Sequence, residues 1–370
     1  MASRPVVPPI TLSSTFAFDT TVEMADAVRD KHPHLYSRWS NPTVDAVEAE
    51  IARMERADRS ILCSSGMAAV HLALLAALGD GPGPIVALRE IYGGTHELLN
   101  AMRWPAGVKV RHIGLADLMH EAEFLAPTAV LYLETPTNPL LRVVDVAAVR
   151  RRTPGGVRIV VDGTFGSPYL CRLLDHGADL VLHSATKYLG GHHDLVAGVV
   201  SGFEPLMGQV CRWRTLLGPT LDPAAAYRLW RGLQTLGLRM ERQSRTAAEL
   251  ALFLSDHAKV QAVHHPSLPG HPDHGVCERL HRDGLGGGVL SFEVDSALDA
   301  ARMVDRLEHI AVAPSLGGVH SLITWPAGVT HANVSEQEQR KAGILPGLLR
   351  LAVGVEDVAE LRADLDQALG

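Results

Sequence analysis

Lysine is scarce in this chain: only five of its 34 basic residues are lysines, at positions 31, 109, 187, 259 and 341. One of them, Lys187, ends the apolar run "LVLHSATK" just ahead of Gly190 and Gly191. An amine is a nucleophile only when part of it is unprotonated, which needs desolvation or neighbouring positive charge. A strand end with small neighbours, Ser184, Ala185 and Thr186, can desolvate it, and the two hydroxyls suit a phosphate oxygen. In "CSSGMAAVHLALLAAL", Ser65, Gly66 and Met67 open a helix whose exposed N–H groups and dipole attract an anion. Asp162 closes "VRIVVD". A carboxylate there needs a cationic partner, either a protonated pyridine nitrogen or an arginine. Tyr92, in the glycine-flexed turn "YGGT", can stack on a planar ring. Each feature alone has an ordinary reading: a lysine reaching for solvent, an N-cap serine, an arginine-paired aspartate, a turn tyrosine. Together they describe a site for pyridoxal 5′-phosphate.

The elements that must position these groups are legible as short apolar runs separated by helical stretches. The runs are "PIVAL" (84–88), "AVLYLE" (129–134), "VRIVVD" (157–162), "LVLHS" (180–184) and "VAGVVSG" (196–202). Continuous rather than alternating hydrophobicity implies strands covered on both faces, as in a parallel sheet between helix layers. Asp162 and Lys187 fall at or just past strand carboxyl ends, where open α/β sheets bind ligands. Helical spacing marks 43–57 and 66–78, and 222–256 reads as one long helix capped by Asp222. "GGVLSFEVD", a helix at 297–309 and "LLRLAVG" suggest a smaller α+β domain. Residues 1–45, with the prolines of "RPVVPPI", read as an irregular arm.

Composition excludes several classes. The 34 basic and 41 acidic residues are mixed along the chain, leaving no basic stripe for nucleic acid or a membrane surface. Cys63, Cys171, Cys211 and Cys277 form no CxxC pair, which favours free thiols in a reducing compartment. "MASRPVVPPI" has no apolar h-region and no run is long enough to span a bilayer, so a cytoplasmic location is expected. His192, His193 and Asp194 lack a third-ligand spacing, so no metal is expected.

In order along the chain stand "YSRWSNPT", "SSGMAA", "YGGT", "ETPTNP", "VDGTF", "HSATKYLGGHHD", "PSLGGVHSL" and "LLRLAVGVED". With these the chain resembles the Cys/Met-metabolism pyridoxal-phosphate enzymes: cystathionine γ-synthase, cystathionine γ- and β-lyases, methionine γ-lyase and O-acylhomoserine sulfhydrylases. The resemblance covers nearly the whole chain. It implies the fold of aspartate aminotransferase (fold type I): a mostly parallel seven-stranded sheet with a smaller C-terminal α+β domain. The division expected is an arm at 1–45 reaching the neighbouring subunit, a cofactor domain at 46–235 and a small domain at 236–370. A homotetramer of two tight dimers, with active sites shared across the dimer interface, is implied as well. Residue by residue, Lys187 would carry the cofactor and shuttle protons, and Asp162 would hold the pyridinium. Tyr92 would stack and act as acid/base. Gly66, Met67, Ser184 and Thr186 would bind phosphate, completed by Tyr36 and Arg38 of the neighbouring arm. Arg350 would grip the substrate carboxylate, helped by Asn138 and the backbone around Ser315.

Three further positions bear on the substrate. In the cystathionine-handling γ-enzymes a glutamate often precedes the "YSR" tyrosine and the "SLGG" serine, and a basic residue often follows "YGGT" by two positions. Here these are Leu35, Pro314 and Glu97. Apolar walls suit a thioether methyl better than an ammonium. The activity expected is therefore α,γ-elimination of L-methionine or a similar thioether to 2-oxobutanoate, ammonia and a thiol. Cystathionine γ-lyase, cystathionine γ-synthase or O-acylhomoserine sulfhydrylase is the alternative. The chain departs from the family pattern at Gly94, a cysteine in many methionine γ-lyases; at His320, usually glutamate; and at Gly163, usually asparagine.

Overall fold

The computed structural model describes residues 5–29, 34–79, 83–120, 129–329, 332 and 335–370. Among them, seven strands form one sheet: β1 (Arg59–Cys63), β2 (Ile85–Leu88), β3 (Val110–Ile113), β4 (Val130–Glu134), β5 (Arg158–Asp162), β6 (Leu180–Ser184) and β7 (Gly198–Gly202). The order is β1-β7-β6-β5-β4-β2-β3, parallel except that β7 runs antiparallel to both its neighbours. The five expected runs become β2 and β4 to β7. Successive residues enter different cores, as a period of two requires. Ile61 and Val200 join the apolar cluster of helix Gly66–Leu78, while Leu62 and Val199 join that of helix Pro42–Glu55. With both faces covered, alternation disappears from the sequence. Strands β4 and β5 are in register at Glu134 and Asp162, so two carboxylates end side by side.

The smaller sheet comprises β8 (Ala262–His264), β9 (Val289–Glu293), β10 (Ala311–Val312), β11 (Leu322–Thr324) and β12 (Leu348–Ala352), ordered β10-β11-β12-β9-β8. Leu290, Phe292, Leu349 and Leu351 pack there against Leu250, Leu254, Leu361 and Leu365 of two long helices. Arg350 lies mid-strand opposite Ser291, whose hydroxyl donates to the Pro139 carbonyl at 2.7 Å. That bond ties the small sheet to the "ETPTNP" loop. Among the described residues no helix is long and apolar enough to cross a membrane.

Three expectations are corrected. The single helix at 222–256 is two, Pro223–Leu233 and Leu236–Ser255. The Gly232 carbonyl, which a continuous helix would give to residue 236, accepts instead from Thr235 N and from the Arg239 guanidinium at 2.9 Å. The helix expected at 297–309 ends at Val304, because the Asp364 carboxylate collects the N–H groups of Glu308, His309 and Ile310 at 2.8–3.0 Å. The arm is not wholly irregular: Thr21–Arg29 is a helix with no buried residue. It opens with a reciprocal Thr20–Glu23 capping box. The arm's residues 1–4 and 30–33 lie outside the described residues.

Candidate active site

The carboxyl ends of β4, β5 and β6 and the start of helix Gly66–Leu78 converge on a cavity of about 260 Å³. Gly66, Met67, Tyr92, Asn138, Asp162, Ser184, Thr186, Lys187, Pro314, Ser315 and Arg350 all line it. Eleven expected site residues, scattered over most of the chain, are thus gathered by the fold. Leu35, Tyr36 and Arg38 are not. Leu35 lines a separate cavity with Trp39 and Arg214, Tyr36 bridges to Thr15, and Arg38 donates to the Thr215 carbonyl at 2.6 Å.

Ser65 caps the helix, its hydroxyl accepting from Ala68 N at 3.1 Å. The amides of Gly66 and Met67 belong to the first turn and have no intrahelical acceptor. A β-carbon on Gly66 would stand 2.7 Å from Ser184 Cβ, so glycine brings the helix start against the end of β6. Such a helix start, with its amides free and a serine hydroxyl alongside, suits a phosphate dianion. The Thr186 hydroxyl lies there too but is engaged, donating to Ala197 O at 3.2 Å and accepting from Ala197 N at 3.0 Å.

Lys187 Nζ donates to Ser315 Oγ at 2.7 Å. Burial, then the charge of Arg350, pulls its pKa down to about 8, so an appreciable fraction is free amine near neutrality. Ser315 has φ +117°, a strained conformation for a residue with a side chain. The strain turns its hydroxyl to Lys187 and its carbonyl to Arg350 Nη2, 3.0 Å away.

Arg350 is buried, and its Nη1 donates to Asn138 Oδ1 at 2.8 Å while Nε has no partner. Burial pulls its pKa down to about 10. A buried guanidinium satisfied only by neutral acceptors is short of an anion, and a carboxylate fits it. Asp162 has the opposite deficit. Its Oδ1 accepts from Thr164 N at 2.9 Å and its Oδ2 lies 3.5 Å from the Tyr132 hydroxyl. Burial raises its pKa. Among the described residues no cationic side chain hydrogen-bonds Asp162, and a protonated pyridine nitrogen would supply that partner, so the residues present fit pyridoxal phosphate at ring, phosphate and amine.

Glu134 was not singled out by sequence reasoning. It accepts from Tyr92 N at 2.8 Å and from Asn138 N at 3.0 Å, joining the two residues across the cavity wall. Burial, then the charge of Asp162, pushes its pKa well up. Its signal was the glutamate that opens "ETPTNP" at a strand end. Thr164, Phe165 and Val196 also line the cavity unforeseen. The Tyr92 ring covers Gly94, where a β-carbon would fall 2.6 Å from Cε1. His192 Nδ1 faces the Gly190 carbonyl and His193 stacks on His320, ring centroids 6.3 Å apart.

The family model described as "Cys/Met metabolism PLP-dependent enzyme" matches residues 2–370. The chain is 38% identical to an L-methionine γ-lyase of Pseudomonas deceptionensis, over 98% of this chain and 92% of that protein. A crystal structure of cystathionine γ-synthase from Xanthomonas oryzae pv. oryzae in complex with cystathionine superposes with TM-score 0.92 at 38% identity, covering 98% and 92%. A putative O-acetylhomoserine (thiol)-lyase from Campylobacter jejuni superposes with TM-score 0.93 at 28% identity, covering 99% and 96%. That structure carries pyridoxyl-lysine monophosphate at its position 205. The fold, the cavity chemistry and these full-length matches agree: the chain belongs to the Cys/Met-metabolism enzymes, and its cofactor is pyridoxal phosphate.

Proposed function

We propose that the enzyme is a carbon–sulfur γ-lyase that eliminates a thiol from L-methionine or a similar small thioether amino acid, releasing 2-oxobutanoate and ammonia. The observation that carries this reading is the state of the cavity's carboxylates. Glu134 and Asp162 already accept backbone N–H bonds, and among the described lining residues there is no other to meet a distal ammonium. An ammonium buried without a partner is costly, whereas Pro314, Leu316 and Val196 suit a thioether. A second reading, cystathionine γ-lyase or γ-synthase, is favoured by the equal identity to the cystathionine-bound synthase.

Pyridoxal phosphate, when bound, supplies an aldehyde for the substrate amine and a protonated ring that draws electron density from the α-carbon. Asp162, as a carboxylate, would accept a hydrogen bond from the protonated ring nitrogen. Gly66, Met67 and Ser184 take the phosphate, with Tyr36 and Arg38 of the partner subunit completing the cradle. Lys187 Nζ carries the cofactor at rest and moves the Cα proton in turnover. Arg350 and Asn138 hold the substrate carboxylate. The Tyr92 hydroxyl protonates the departing sulfur. The exposed arm, with Val6, Leu12 and Val22 uncovered in one chain, supports a contact that carries Leu35 to a neighbour. The corresponding assembly is a homotetramer, and the division 1–45, 46–235 and 236–370 goes with it. Four free thiols support a cytoplasmic setting.

Loading tests the lysine. Because the neutral amine is the nucleophile, cofactor capture by the apoenzyme accelerates with pH and levels off above about 8, where Lys187 loses its proton. A rise continuing to the ordinary lysine range contradicts the site. Side-by-side release of 2-oxo acid from L-methionine and L-cystathionine tests the substrate. We expect methionine to lead in kcat/KM by about tenfold or more, and a lead for cystathionine replaces the first reading by the second.

A further inference from the structure

Glu55 is the last residue of helix Pro42–Glu55, and it is wholly buried. Both facts count against it. A carboxylate in a last turn meets the negative end of the helix dipole, and a buried one loses its hydration. Its Oε1 sits 2.5 Å from Nε2 of His183, equally buried on β6, while Oε2 has no partner. On β6, His183 follows Leu182, the register partner of Asp162, and it packs against Gly163, the residue after Asp162, close enough for each group to feel the other's charge. Burial pulls the His183 pKa down, but Glu55 and then Asp162 outweigh it, and the net direction is upward.

Gly163 makes this arrangement possible. A β-carbon there would fall 2.8 Å from His183 Cε1 and 3.0 Å from Leu173 Cδ1. The position that departs from the family's asparagine is where the imidazole edge needs room. Imidazole Nδ1 faces the Gly163 backbone without a well-formed hydrogen bond. Glu55 from its helix touches the histidine, and Asp162 on β5 acts on it through its charge. Tyr132 and Glu134 on β4 lie beyond Asp162, and Cys171 lies near Glu55.

We infer that Glu55 and His183 are a positioning pair for the cofactor: the imidazolium clamped by Glu55 keeps Asp162 anionic, so that the proton rests on the pyridine nitrogen. Nothing in this depends on the identity of the substrate, but it rests on the reading of Asp162 as the ring-nitrogen partner. Without the imidazolium, buried Asp162 becomes the better base, and the proton moves from nitrogen to carboxylate.

The test is the ¹⁵N resonance of ring-labelled pyridoxal phosphate bound to the full-length enzyme at neutral pH. We expect a protonated ring in the native holoenzyme. In Glu55→Gln and in Gly163→Ala, which pushes the imidazole from the other side, the resonance should move downfield toward that of a neutral pyridine. A purely structural pair would lower thermal stability and leave the resonance in place, and that result overturns the inference. Should neither variant fold, His183 in the native enzyme decides through ¹⁵N-histidine labelling. A doubly protonated ring supports the pair, and a neutral ring overturns it. Asp162→Asn separates the two levels of the argument. If it too leaves the resonance in place, the assignment of Asp162 fails; if it alone moves the resonance, only the pair fails.

Discussion

Replacing Lys187 with alanine is expected to lower kcat by at least about 10⁴-fold and to leave a cofactor that washes out on dialysis with its yellow colour. Lys187→Arg should fare no better, because a guanidinium stays protonated and forms no covalent bond to an aldehyde. The fold is not at risk. In the apoprotein the charged amine is half-buried beside another cation, which is why its pKa falls from 10.5 to about 8. Below pH 8 both folded and unfolded chains bind that proton, and the native state bears the whole cost of holding the charge. As pH rises from about 8 to 10.5 the folded chain releases the proton first, and the cost disappears. Apo Lys187→Ala should therefore melt at or above the native temperature at pH 7, with the difference closing as pH approaches 10.5. Full activity and retained colour in the alanine variant would remove Lys187 from the mechanism. An early melt at pH 7 would show that its aliphatic stem matters more than its charge.

Much of this was legible in the sequence because strand ends and helix starts are written locally. "VRIVVD" and "LVLHSATK" each announce a buried strand followed by a polar group, and parallel strands bring such ends together regardless of separation along the chain. What escaped were groups whose meaning is a tertiary partner. Glu134 reads as one glutamate among many until Tyr92 N and Asn138 N are seen to converge on it. Nothing local marks Glu55 as buried, since its neighbours Arg53 and Arg56 are ordinary surface residues. The break at Gln234–Thr235 and the early stop at Val304 have the same cause. Arg239 and Asp364 take hydrogen bonds that a helical pattern assigns to the helix itself. The helix Thr21–Arg29 was missed for the converse reason: its capping box is local, but the prolines around it drew the reading toward coil. Leu35, Tyr36 and Arg38 mark a different boundary, because one chain does not bring them to the cavity.

Arg350 offers the second large effect, and its sign can be read in two independent ways. Arg350→Lys keeps a charge but loses the planar fork, and Arg350→Ala also strands Asn138 Oδ1 and the Ser315 carbonyl. Removing one member of a buried charge pair typically costs ~3–4 kcal/mol, so kcat/KM should fall about 10²–10³-fold in the alanine variant. Most of the change belongs in KM, because the carboxylate is gripped in ground state and transition state alike. A substrate carboxamide should erase the difference between native and variant enzymes, since the interaction is then absent from both. The other reading comes from Lys187. Burial is the larger cause of its lowered pKa, but the Arg350 charge is the second, and removing that charge lets the pKa climb back toward the ordinary lysine value. Cofactor capture by apo Arg350→Ala should therefore level off at a higher pH than in the native apoenzyme. If KM rises while the loading profile stays in place, Arg350 binds substrate without tuning the lysine. If neither moves, the carboxylate is held by other donors and the guanidinium is a structural link between β12 and the Ser315 turn.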